Sequence, residues 1–298
     1  MAMARVGVIG VGNMGGAMAA RLLASGWEVQ VCDLDAAKTR RLESLGAAVS
    51  ETPARCARGS SALIVCVVDA EQVETVLFGA GGAATALQAG QDVLLCPTIA
   101  PADVERFAAR LRAQGVFVID APMSGGPLRA RDGTMSLMVA CEEAAFARQR
   151  ALIGTLSAKV FRISDKPGDG ARTKLVNNLL AGINLVGAAE AIAMAERIGL
   201  SPAATLAVIE QSSGQSWIGS DRMHRAIGGD FEPRAHMTLL AKDTRLALEA
   251  AAASGFEGPL GAAAQAVFAR ACASGLESLD DGALLQLLRQ GSGEGSAR

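Results

Sequence analysis

"RVGVIGVGNMGGAMAARLLASG", residues 5–26, decides how the chain folds. A short β-branched run leads through Gly10, Gly12 and Gly15 into a helical pattern that stops at Gly26. A strand that turns directly into a helix is the first half of a βαβ unit. The alternation then repeats. "EVQVCD" (28–33), "ALIVCVV" (62–68), "DVLLCP" (92–97) and "GVFVID" (115–120) are brief and mostly apolar, as strands covered on both faces must be. "DAAKTRRLESLG" (35–46) and "PADVERFAARLRAQG" (101–115) carry helical periodicity and close on glycine. Such units join through right-handed crossovers into a doubly wound parallel sheet, an α/β fold of Rossmann type.

The glycine spacing adds chemistry to the fold. In G-x-G-x-x-G, Gly10 serves the tight turn, Gly12 leaves bare backbone for a pyrophosphate, and Gly15 allows close helix–strand packing. The helix opening at Asn13 and Met14 turns its positive end toward phosphate. Asp33 ends the second strand, and a carboxylate there accepts the ribose hydroxyls of an adenosine half while repelling a 2′-phosphate. The pattern predicts a dinucleotide site that takes NAD in preference to NADP. Without ligand chemistry, the same residues describe a tight turn beside a surface aspartate.

Two more strand patterns, "TMSLMVA" (134–140) and "AKVFRI" (158–163), flank the helical "EEAAFARQRALIGTL" (142–156). After "SDKPGDG" (164–170) strand patterns cease, which divides the chain into residues 1–164 and an all-helical part, 165–298. "ARTKLVNNLLAGINLVGAAEAIAMAERIG" (171–199) reads as one long helix, about 170–198, that joins the two parts and closes at Gly199. Four further helical stretches follow: "PAATLAVIEQSS", "MTLLAKDTRLALEAAAASG", "PLGAAAQAVFARACASG" and "DDGALLQLLRQ". "GSGEGSAR" (291–298) reads as a disordered tail.

Composition narrows the function classes. With 298 residues, half of them hydrophobic, and a net charge of −2, there is no electrostatic case for nucleic acid or an anionic membrane. The most membrane-like run, "LLAGINLVGAAEAIAMA", is broken by Asn184 and Glu190 and is short for a span. "MAMARVGVIG" enters a strand without a signal-peptide pattern, so a cytoplasmic location is expected. The six cysteines form no C-x-x-C pair and read as buried reduced thiols, with no metal site. Tyrosine is absent, and His224 and His236 are the only histidines. Proton transfer by tyrosine is therefore excluded.

"DAPMSGGPLRARDGTM" (120–135) reads, by itself, as a glycine-rich surface turn between strands. "GDGARTKLVNNLLAG" (168–182) places Lys174, Asn177 and Asn178 on one helix face. The lysine either snorkels to solvent beside two amides, or exchanges a proton with a substrate hydroxyl beside a nicotinamide, partial desolvation lowering its pKa.

Taken in order, "GVIGVGNMGGAMAARL", "DAPMSGG" with "GTMSLMV", "GARTKLVNNLL" and "LLAKDTRLAL" resemble the β-hydroxyacid dehydrogenases across nearly the whole chain. The resemblance implies a Rossmann domain, a connecting long helix and an all-helical domain through which homodimers or homotetramers form. It implies a small 3-hydroxycarboxylate substrate, oxidised by hydride transfer to NAD. Lys174 matches the family's acid–base lysine and Asn178 its substrate-binding amide. Ser124, Gly125 and Gly126 match the loop that meets the substrate carboxylate, where a hydroxyl and glycine N–H groups make an anion cradle. Lys242 matches a lysine beside the cofactor, although by itself it reads as a surface lysine paired with Asp243. Thr98 matches the nicotinamide-side threonine.

"VVDAEQVETVLFG" and "SSGQSWIGSDR" look most like the L-threonate dehydrogenase subgroup. Trp217 reads as core or as pocket lining, and Arg222 as surface or pocket; the histidines read as structural. Pro97 stands where the family usually has serine, and Arg129 where glycine is usual. Three other readings compete. Imine-reducing enzymes share the architecture but usually lack the lysine, and a non-catalytic NAD-binding scaffold would also lack it. A 6-phosphogluconate dehydrogenase needs a larger helical domain.

Overall fold

Strand β1 (Arg5–Ile9) enters helix α1 (Asn13–Ala24) through the glycine turn, and β2 (Glu28–Cys32) lies parallel beside it in the computed structural model, which describes residues 5–290. The chain continues through α2 (Ala36–Glu43), β3 (Ala48–Val49), α3 (Pro53–Ala57), β4 (Ala62–Val65), α4 (Ala70–Phe78), β5 (Asp92–Leu95), α5 (Pro101–Arg112) and β6 (Phe117–Asp120). β1 to β6 pair in parallel in the order β3-β2-β1-β4-β5-β6, the order of a dinucleotide-binding sheet. Side chains leave the two faces alternately. Ile64 joins a cluster with Val6, Val8 and Met18, whereas Leu63 and Val65 join Phe107 and Leu111 on the other face.

Several short elements, β3, α3 and α4 among them, are not apparent in the sequence pattern. Within the glycine-rich stretch, β7 (Met123–Ser124) and α6 (Gly126–Asp132) form where a plain loop was expected. β8 (Ser136–Ala140) runs antiparallel to β6 and β7 and parallel to β9 (Lys159–Ser164), so the sheet is mixed beyond β6. Residues 142–156 make two helices, α7 (Glu143–Arg148) and α8 (Arg150–Leu156), with Gln149 between them at φ −101° and ψ 12°. Gln149 donates to the fully buried Asp92 at 2.8 Å, which fixes the break.

The chain divides into two compact units, Met1–Lys174 and Leu175–Arg298, so the division falls inside helix α9 (Asp169–Arg197) rather than at the turn before it. At about 1.5 Å per residue, these 29 residues extend about 43 Å. Gly199 ends the helix at φ +84°; its N–H bonds to Glu196 O and that of Leu200 to Ala195 O, the paired closure of a left-handed glycine cap. α9 is long and apolar enough to cross a membrane by length and composition alone. Its Leu185, Ala189 and Ile192 are nevertheless core residues of the second unit.

That unit adds α10 (Pro202–Glu210), α11 (Trp217–Ile227), α12 (Met237–Ala253), α13 (Pro259–Ala271) and α14 (Leu284–Gln290). Arg222, read as surface or pocket, is largely enclosed, with 12% of its side chain exposed. Its guanidinium donates to Asp281 and Asp221, while Arg225 reaches Asp280 at 2.9 Å, pinning α11 to the turn before α14. Trp217, by contrast, is exposed. The C-terminal tail expected to be disordered lies outside the described residues.

Candidate active site

The phosphate-loop glycines each meet a different steric demand. Gly10 has φ +83°, and a Cβ there would lie 2.6 Å from the Cys66 carbonyl oxygen. A Cβ on Gly15 would fall 1.9 Å from Gly10 O, so only glycine lets α1 start this close to β1. A Cβ on Gly12 would meet nothing within 4 Å. Gly12 caps α1 without a side-chain bond, leaving an open helix N-terminus over bare backbone. Asn13 is exposed and Met14 half-buried in the first turn. These residues fit a pyrophosphate, which needs N–H donors and no side-chain bulk.

Asp33 does more than end β2. Its Oδ2 accepts from Val11 N at 2.7 Å and its Oδ1 from Asp35 N at 2.9 Å. The carboxylate thus holds the glycine turn in shape, and each oxygen keeps a further lone pair for a ribose hydroxyl. Thr98 follows β5, half-buried, in the turn before α5.

The serine–glycine–glycine segment is a strand-to-helix turn. Ser124 pairs with Ser136 across β7 and β8; Gly125 and Gly126 follow at φ +127° and +75°. Arg129 lies on α6 and folds back, its Cδ 2.9 Å from where a Gly125 Cβ would stand. The arginine stem therefore covers the glycine instead of leaving the loop bare on that side.

Lys174 is buried at 8% exposure, in the second turn of α9. Asn178, one turn on, is buried too, and both ends of its amide are engaged. Its Oδ1 accepts from Asn177 Nδ2 at 3.0 Å, and its Nδ2 donates to Asp243 Oδ2 at 2.6 Å. Lys242 Nζ reaches Asp243 Oδ1 at 2.8 Å, in agreement with the surface-pair reading as far as the partner goes, but only 18% of its side chain is exposed. Asp243, 6% exposed, was missed; its sole signal in the sequence was its place beside Lys242. Asp120 was missed as well. It is buried at the end of β6 and accepts from Gly168 N and Ala171 N at the start of α9.

The histidines are bonded to other residues. His224 Nε2 lies 2.8 Å from Glu210 Oε1 at an exposed position, and His236 Nδ1 lies 3.1 Å from Ser278 O at the start of α12. The cysteines are unpaired, with Cys32, Cys56, Cys96 and Cys141 buried.

Known families match both halves of the chain. The "NAD binding domain of 6-phosphogluconate dehydrogenase" matches residues 5–164, and the "NAD-binding of NADP-dependent 3-hydroxyisobutyrate dehydrogenase" matches 168–288. The chain belongs to the β-hydroxyacid dehydrogenase family. It is 36% identical to the L-threonate dehydrogenase of Cupriavidus necator over 95% of each chain, and 35% identical to the 3-hydroxyisobutyrate dehydrogenase of Pseudomonas aeruginosa, covering 89% and 91%. A solved 3-hydroxyisobutyrate dehydrogenase from Salmonella typhimurium superposes with a TM-score of 0.90 at 34% identity, covering 95% of this chain and 99% of that one. The chain is accordingly a nicotinamide-dependent 3-hydroxyacid dehydrogenase, similar to the L-threonate dehydrogenase subgroup.

Proposed function

We propose that the chain oxidises the 3-hydroxyl of a small polyhydroxy or hydroxycarboxylic acid of the L-threonate type, with NAD preferred to NADP and Lys174 as the acid–base group. The observation that carries this reading is a lysine, buried near the start of α9, in a chain with no tyrosine and two histidines engaged elsewhere. When bound, the nicotinamide supplies the hydride acceptor for the carbinol carbon. Lys174 Nζ, in its neutral form, takes the hydroxyl proton as the hydride leaves, and returns it in the reverse direction. Asn178 has one N–H committed to Asp243, and its second orients the substrate oxygen. Ser124 and the glycines after it receive the carboxylate.

Cofactor choice rests on Asp33. Its carboxylate accepts ribose hydroxyls and repels a 2′-phosphate. Thr98 contributes from the nicotinamide side, and Lys242 is read as a lysine beside the cofactor.

Self-association as a homodimer or homotetramer is supported by the exposed apolar stripe of α9. Val176, Leu180, Met194 and Ile198 recur at helical spacing and are 71%, 58%, 62% and 61% exposed. Unpaired, mostly buried thiols support a cytoplasmic location.

The test is a panel of small hydroxy acids, L-threonate and 3-hydroxyisobutyrate among them, each offered with NAD and NADP while reduced nicotinamide is followed by absorbance. Turnover of at least one 3-hydroxy acid is expected. Reduction of cyclic imines with no oxidation of any hydroxy acid would refute the reading.

A further inference from the structure

We propose that Asp120 is a positioning residue for the reaction, tying the start of the lysine-bearing helix to the strand that leads into the Ser124 turn. The proposal rests on the reading of Lys174 as the acid–base group.

The first N–H groups of a helix have no partner within it, and a side chain adjacent in sequence usually supplies one. At α9 a residue on another element does so. Asp120 Oδ2 accepts from Gly168 N at 2.8 Å and Ala171 N at 3.0 Å, across separations of 48 and 51 residues. The approach is possible only because residue 170 is glycine. A Cβ there would lie 2.9 Å from the Asp120 carboxylate and 2.8 Å from Met138 O. Gly168, at φ +105°, turns the chain so that its own N–H points at the same oxygen.

The geometry links two parts of the proposed site. Lys174 lies three residues beyond Ala171, so its stem rises from the turn of α9 directly above the anchored one. On the other side, Ala121 and Pro122 connect Asp120 to β7, which carries Ser124. One carboxylate therefore sets the height and rotation of the lysine-bearing turn against the strand before the substrate loop. A displacement of about 1 Å at a reacting group costs on the order of a hundredfold in rate, so such an anchor has large leverage.

A role confined to stability explains the arrangement poorly. Taking a carboxylate to 1% exposure is costly, and no cationic partner is among its hydrogen bonds, which all come from backbone. Burial accordingly raises its pKa to about 6. A neutral acceptor would hold the helix at lower cost but with weaker, less directional bonds.

The test compares Asp120→Asn, which is isosteric, and Asp120→Ala with the parent, using L-threonate and NAD or whichever hydroxy acid and nicotinamide of the panel the parent turns over fastest. Active sites are counted by bound cofactor. The expected result is a kcat three- to tenfold lower in Asp120→Asn and more than tenfold lower in Asp120→Ala, with Kd for the cofactor within twofold. Amide hydrogen exchange across residues 168–174 should quicken in both. In a Lys174→Met background, neither substitution should change the residual turnover by more than twofold. If Asp120→Ala does not fold, the isosteric variant decides alone. A kcat within twofold of the parent in the folded variants, or an equal loss with and without Lys174, overturns the proposal. Parent-like turnover by Lys174→Met would instead overturn the reading of the lysine.

Discussion

Asp243 is the shared acceptor of Asn178 and Lys242, taking Nδ2 of the first at 2.6 Å and Nζ of the second at 2.8 Å. It orients an amide that residues 175–180 alone do not fix, and it holds a cation within hydrogen-bonding reach. Removing it leaves a buried N–H of Asn178 without its acceptor, at a cost of about 1–3 kcal/mol. Asp243→Ala should therefore lower Tm by several degrees and raise KM for the hydroxy acid by about tenfold, the discrimination a single hydrogen bond of about 1.4 kcal/mol carries. Thermal melts with steady-state kinetics check both. An unchanged KM would mean that the amide is set by something else.

Cofactor choice is tested at Asp33. NAD should bind more than about tenfold tighter than NADP, since a 2′-phosphate would face the carboxylate. Asp33→Asn keeps an acceptor for Val11 N but loses the charge, and should narrow the ratio mainly by improving NADP. Calorimetric titration of both cofactors into parent and variant measures it. Equal affinities in the parent would remove Asp33 from this role.

Asp120 gives stability a pH dependence of definite sign. Burial lifts its carboxyl to about 6, against the pull of the Ala171, Gly168 and Gly170 N–H groups, and with a smaller push from Asp169. Between the ordinary aspartate value and about 6, the folded chain keeps a proton that the unfolded chain has lost. This contribution is full below the ordinary value and is lost as pH rises through about 6. Asp120→Asn abolishes the titration. Its Tm relative to the parent should rise with pH across that window, by an amount equivalent to about 1–3 kcal/mol. A constant difference from about pH 4 to about pH 8 would contradict the assignment of this titration to Asp120.

How much of this was legible in the sequence depends on the distance over which each feature is encoded. Gly10, Gly12 and Gly15 could be read because their demands are local: a positive φ, an open backbone and a close approach are all met by glycine alone. The helix carrying Lys174 could be read because 29 residues of pattern and a closing glycine outweigh local noise. α6 could not, since seven residues behind two glycines show too little periodicity. The backbone partners of Asp120 and the Asn178 partner of Asp243 lie 48 to 65 residues away, and no spacing rule connects them. Arg222 is ambiguous in the sequence for the same reason: its placement depends on Asp281, 59 residues on.

The central claim is that Lys174 moves the substrate proton, and one variant tests it most directly. Lys174→Met keeps helix propensity and most of the apolar stem, so folding and cofactor binding should persist. Single-turnover and steady-state rates of parent and variant are to be compared at saturating cofactor, with binding verified by titration. An acid–base group in place contributes roughly 10²–10⁴ in rate, so kcat should fall at least about a hundredfold while Kd for the cofactor stays within about twofold. A variant that binds the cofactor normally and turns over within about tenfold of the parent would contradict the account.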